Sequence, residues 1–251
     1  MVPGEYRETD DFRNASFVRC DLTGVEIRDC DVTKLRIVDS YVHEVDVSGQ
    51  LRNVVVNDVD VTAFVEAELD RVYPERVLLR EAQTAAELRN VRTDVNALWA
   101  ATIERARTFP MAALHERVYG EWSFVETQRH LLFASDAWVG SAVLQELHPH
   151  HRFGLPSSGY PADKALAIGL ALGVKPSLDE VLAARATRAA VVDRLFDELS
   201  DDELQRVCGA KPSPEYPDEP YLVGRCVRTV LREELEHRRY VERDLSRLAR
   251  P

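Results

Sequence analysis

Two stretches far apart in the chain carry residue types that could share an ion: Glu121 to His130, and Glu233-Glu-Leu-Glu-His237. The run from Leu231 to Tyr240 has neither Gly nor Pro and reads as helix. Glu233 and His237, four residues apart, then lie one above the other on one face. His130, from a second helix, would add another nitrogen. Two imidazoles and one carboxylate make a three-ligand set that leaves positions open for water or substrate, as catalytic metal sites do and structural ones do not. Spacing alone favours an ordinary solvated Glu and His pair on a helix face.

Other candidates are weaker. His148-Pro-His150-His151 is a loop cluster whose consecutive histidines seldom share a face, and Arg152 beside it repels a cation. His130, between Arg129 and Leu131-Leu-Phe133, also fits a core histidine bonded to a carboxylate. Trp122, Trp138 and Tyr240 stand near the three candidate ligands in sequence and would line a pocket or fill the core. His43 and His115 receive no role. Of the four cysteines, Cys20, Cys30, Cys208 and Cys226, only Cys226 lies near the motifs, about two turns before Glu233. None shows Cys-x-x-Cys spacing, and four are too few for a secreted disulfide scaffold, so they read as reduced and mostly buried.

The elements that must position these residues announce themselves by capping boxes at Thr84-x-x-Glu87, Ser123-x-x-Glu126, Ser177-x-x-Glu180 and Ser200-x-x-Glu203. The first opens a helix with Leu88, Val91, Val95 and Leu98 on one face, ending before Pro110. The second opens the His130 helix, which runs to about Leu147, where His148-Pro149 stops it. A long connection with Gly154, Pro156, Gly159 and Pro161 follows, a candidate site rim or short-helix insertion. A third helix spans about Ser177 to Leu199, a short one Ser200 to Val207, and a last one about Tyr221 to Ala249. Four long helices with long connections let ligands from facing helices converge inside a bundle.

From residue 10, large apolar residues recur every five positions at Phe12, Phe17, Leu22, Ile27, Val32, Ile37, Val42 and Val47, and after a one-residue slip at Leu51, Val56 and Val61. Neither helix nor strand has that period. Residues 10–63 resemble pentapeptide-repeat proteins, which implies a right-handed four-sided β-helix of a little under three coils, each side burying its centre and the residue two before it.

The phrase from Glu121 to Trp138, with His148 to Pro156 and Glu233-x-x-x-His237-Arg-Arg-Tyr240, resembles the DinB-like four-helix-bundle superfamily, which includes mycothiol-dependent maleylpyruvate isomerases and thiol S-transferases. The resemblance implies a divalent metal held by His130, Glu233 and His237, with Glu where the commoner pattern has His. Zinc is the first expectation, nickel or iron the alternatives. It further implies a low-molecular-weight thiol such as mycothiol as co-substrate and a small-molecule electrophile as partner. The expected architecture is therefore multidomain α and β: a β-helix over residues 1–66, a linker over 67–83 and a metal-holding bundle over 84–251.

Composition sets outer bounds. The 251 residues are 45% hydrophobic and 30% charged, with net charge −11, so a nucleic-acid backbone or an anionic membrane is not the expected partner. No run approaches the roughly 18 apolar residues of a membrane span, and the first residues lack a signal-peptide core, so a cytoplasmic protein is expected. Residues 1–66 carry 14 acidic and seven basic side chains. That charge raises the alternative of a DNA-mimic, topoisomerase-binding rod, while its shortness points to a scaffold, a homodimer surface or a cap. The leading expectation is a thiol-dependent S-transferase or isomerase, and the alternative is a non-catalytic metal-binding or interaction module.

Overall fold

The computed structural model describes residue 4, residues 6 and 7, and residues 9–249; Met1 to Pro3, Glu5 and Glu8 of the expected first module, and Arg250 and Pro251, lie outside the described residues. The chain divides into two compact units after Val47.

The first unit corrects the β-helix expectation. It contains no strand among its described residues, and the eight apolar centres from Phe12 to Val47 are 43–62 % exposed. The five-residue period survives only in the backbone, as left-handed φ at Asn14, Arg19, Gly24, Asp29, Lys34, Asp39 and Glu44. Many of its hydrogen bonds are short-range: some close single turns, such as Ala15 N to Phe12 O and Val25 N to Leu22 O, some run from a backbone amide to a nearby side chain, as Thr23 and Thr33 donate to Asp21 and Asp31, and some from a side chain to a carbonyl two residues back, as Ser40 Oγ donates to Val38 O. Such local bonds satisfy the backbone without a ladder. Apolar centres with no facing layer leave no solenoid core, and the DNA-mimic reading loses the rod it rested on.

The second unit opens with a hairpin, β1 (Val55–Val56) paired antiparallel with β2 (Val59–Asp60). Its two-residue turn, Asn57-Asp58, has both φ values positive, the conformation a tight right-twisted hairpin requires. Two helices follow: α1 (Thr62–Val72), which begins at the end of the last expected repeat, and α2 (Glu75–Glu81), which lies in the expected linker of residues 67–83.

Four long helices make the rest: α3 (Ala85–Ala106), α5 (Phe124–Ser135) with its continuation, α7 (Leu178–Glu198) and α9 (Val223–Leu248). Short helices α4 (Met111–Leu114), α6 (Ala162–Ala167) and α8 (Asp201–Gln205) fill the connections. The capping boxes of Thr84, Ser123 and Ser177 form in full. That of Ser200 forms by half, because the Glu203 carboxylate turns to Arg206 instead.

One core joins the four. Leu88, Val91, Val95 and Trp99 of α3 meet Val227, Val230 and Leu231 of α9, with Leu131 of α5 and Val192 and Phe196 of α7 between them. α5 packs on both α7 and α9, which sets its buried face against the helix meant to share ligands with it. Beyond Ser135 the helix widens into a π-helical stretch, Asp136–Val143, a geometry that recurs at functional sites. Gly140 sits in it because a Cβ there would lie 2.8 Å from Pro149 Cβ. Arg188 of α7 pins this stretch, with Nε 2.6 Å from Asp136 Oδ1 and both Nη on Glu146 at 2.9 Å. Among the described residues no helix is long and apolar enough to cross a membrane.

Candidate metal centre

The Ser123 cap fixes where α5 starts, and two turns later His130 faces the bundle interior, 7 % exposed. On α9, Glu233 and His237 share a face, while the next residue, Glu234, turns to Arg185 of α7. The structure brings the three candidate residues together: one ligand atom from each lies within 4.8 Å of the others, and no other group of this kind occurs among the described residues. Glu233 Oε2 is 3.4 Å from His130 Nε2 and 3.2 Å from His237 Nε2.

The other nitrogen of His130 decides what Nε2 can do. Nδ1 lies 3.0 Å from the carbonyl oxygen of Leu155. A carbonyl only accepts, so Nδ1 carries the proton and Nε2 turns a lone pair toward Glu233. Burial, the largest influence, pulls the His130 pKa below its ordinary value, against the opposing pull of Glu233, so the neutral ring is favoured. For Glu233 burial acts upward, but the two imidazoles facing the carboxylate, His130 and His237, outweigh it and hold the carboxyl well below the usual carboxylate range.

The donor set fits a divalent cation. Metal bonds of about 2.0–2.2 Å to nitrogen and oxygen separate neighbouring ligand atoms by about 3.0–3.4 Å, matching both contacts to Glu233. Two imidazoles and a carboxylate suit zinc, nickel or iron better than calcium or magnesium, which take oxygen.

Aromatic rings flank the cluster. Trp122 stands 4.4 Å from the His130 ring and 5.7 Å from that of His237, and Tyr240 stands 6.1 Å from His237. Trp138 packs at 5.0 Å on Tyr216, whose phenol is raised by burial and by the charge of Glu233. Tyr216, in the proline-rich loop before α9, has no sequence signal beyond its lone aromatic ring among prolines. The Leu155 carbonyl has none at all, since any residue supplies one.

Other candidates go elsewhere. His150 stacks on Phe133 at 5.5 Å, and His151 Nδ1 accepts from the Phe153 amide. Cys226 points at Cys208, with their sulfurs 3.7 Å apart and both side chains buried, and burial pushes both thiols up in pKa. Cys20 and Cys30 are exposed, contrary to the expectation of mostly buried thiols.

The family model of the DinB superfamily matches residues 79–241, a span that begins in α2 and contains His130, Glu233 and His237. A search of curated proteins finds no match. The chain belongs to the DinB superfamily.

Proposed function

We propose that this member of the DinB superfamily binds one divalent metal ion through His130, Glu233 and His237, zinc first and nickel or iron next, and serves thiol-dependent transfer to, or isomerisation of, a small electrophile. The observation that carries the reading is the convergence of two histidine nitrogens on one carboxylate oxygen, with His130 Nδ1 turned to the Leu155 carbonyl and Nε2 turned inward.

A bound divalent ion would supply Lewis acidity, stabilising a thiolate near neutral pH. The chain's own part is to hold the ligand set and wall it. α5 and α9 present the donors from a packed core, so their geometry costs little to maintain on binding. Trp122 closes one side against both imidazoles, and Tyr240 stands beside His237. The buried sulfurs of Cys208 and Cys226 face each other with raised pKa, which makes them poor nucleophiles and favours an external, mycothiol-type thiol.

Thiol consumption by zinc-loaded protein against a panel of small electrophiles tests the activity. Turnover lost in His237→Ala together with metal supports it; full turnover in a His237→Ala protein that binds no metal contradicts it. Metal binding without turnover on any electrophile would leave a non-catalytic metal-binding module.

A further inference from the structure

Arg129, the neighbour of His130, is 5 % exposed, and its guanidinium donates to three backbone carbonyls rather than to a carboxylate. Nε reaches Phe153 O at 2.8 Å, Nη1 reaches Val174 O at 3.0 Å and Nη2 reaches Ala171 O at 3.3 Å. A buried arginine whose guanidinium contacts no carboxylate is costly, so something must offset it. Here it staples both limbs of the long connection between the π-helical stretch and α7, residues 151–155 and 171–174, to the helix that carries His130.

The staple has one consequence at the cluster. The Leu155 amide donates to the Arg129 carbonyl at 3.1 Å, and the Leu155 carbonyl accepts from His130 Nδ1 at 3.0 Å. Leu155 is thus held on one side by the Arg129 backbone and two residues earlier by the Arg129 side chain. Gly154 between them packs closely: a Cβ there would lie 2.9 Å from Leu170 Cδ2, 3.2 Å from the His151 carbonyl oxygen and 3.4 Å from Phe133 Cβ of α5.

We infer that Arg129 is a positioning residue: by fixing the Leu155 carbonyl it sets the His130 tautomer and ring orientation, and with them the nitrogen offered to a metal. The metal half of this rests on the proposed function; the tautomer half does not. Partners that orient a ligating histidine are worth about 10–100-fold in metal affinity.

The comparison that tests it uses Arg89, which likewise donates to three carbonyls, Phe196 O, Asp197 O and Leu199 O, at the far end of α7. Long-range proton–nitrogen correlation NMR on metal-free protein reads the His130 tautomer, and titration with zinc reads affinity. In Arg129→Gln the single Nδ1–H tautomer should give way to a mixture and zinc affinity should fall tenfold or more. Arg89→Gln should lose thermal stability yet keep both. Should Arg129→Gln not fold, Arg129→Lys, which keeps the charge without the three-way fork, is judged by the same two readouts. An unchanged tautomer and unchanged affinity in the Arg129 variant overturn the inference, as does an Nε2–H tautomer in the parent. A tautomer that scrambles in a protein that binds no zinc at all upholds the positioning and overturns the metal reading instead.

Discussion

His130 Nε2 and Glu233 Oε2, 103 residues apart in sequence, face each other at 3.4 Å as two acceptors when the neutral imidazole donates its Nδ1–H to the Leu155 carbonyl. Two lone pairs turned on each other repel unless a proton or a cation lies between them. Burial resists placing a proton on His130, so a cation between the two atoms is what the proposed function predicts.

The carboxylate charge should matter more than its shape. Glu233→Gln keeps the volume but removes the one anion among the three donors. Zinc affinity by titration calorimetry should fall by about 100-fold or more, beyond the range of an outer hydrogen-bond partner. Affinity within threefold of the parent would place the ion elsewhere.

Acid should destabilise the metal-free protein through this site. Both His130 and Glu233 titrate lower in the fold than in the unfolded chain, so the unfolded chain binds protons first and stability falls as pH falls. For His130 the loss starts near the unfolded imidazole value of 6.5, and for Glu233 near 4.5. Asp136, pushed up to about 6 by burial, opposes this between its ordinary 3.8 and that value, because there the folded state holds the proton more tightly. The parent's stability advantage over His130→Gln should therefore shrink from pH 7 to pH 5.5 in urea unfolding with chelator present. A pH-independent difference would contradict the buried neutral histidine.

Arg185 and Glu234, with side chains 15 % and 4 % exposed, form a buried pair with contacts of 2.7 and 2.8 Å, and Arg185 also donates to Gln128 at 2.6 Å. Removing one partner strands a charge, so Glu234→Leu should cost about 3–5 kcal/mol. Adding Arg185→Met should recover most of it. A single-variant cost below about 1 kcal/mol would show that water reaches the pair.

Every described residue of the first unit is exposed, which leaves its backbone open to proteases. Limited trypsin digestion should cut first among Arg13, Arg19, Arg28, Lys34 and Arg36, all exposed, before any site in the four long helices. First cuts within α3 or α7 would mean the segment is protected.

Much of the bundle was legible in the sequence because its signals are local. A capping box needs only four residues, and those at Thr84, Ser123 and Ser177 stand where the helices begin. The i, i+4 spacing of Glu233 and His237 likewise fixes their shared face. The failures are non-local. A five-residue period reports repeated backbone turns, but whether Phe17 or Ile27 becomes buried depends on a facing layer that no repeat encodes. The loss of half of the Ser200 box depended on Arg206, a competitor for the Glu203 carboxylate. The Leu155 carbonyl and the arginine that holds it reach His130 only through a folded loop.

The central claim is tested most directly by metal content, measured by mass spectrometry on untagged protein and on a His130→Ala, His237→Ala double variant. About one zinc or similar ion per chain in the parent, lost in the variant, is the predicted result. Protein that stays metal-free after incubation with zinc, nickel or iron, or a variant that retains the ion in full, would contradict it.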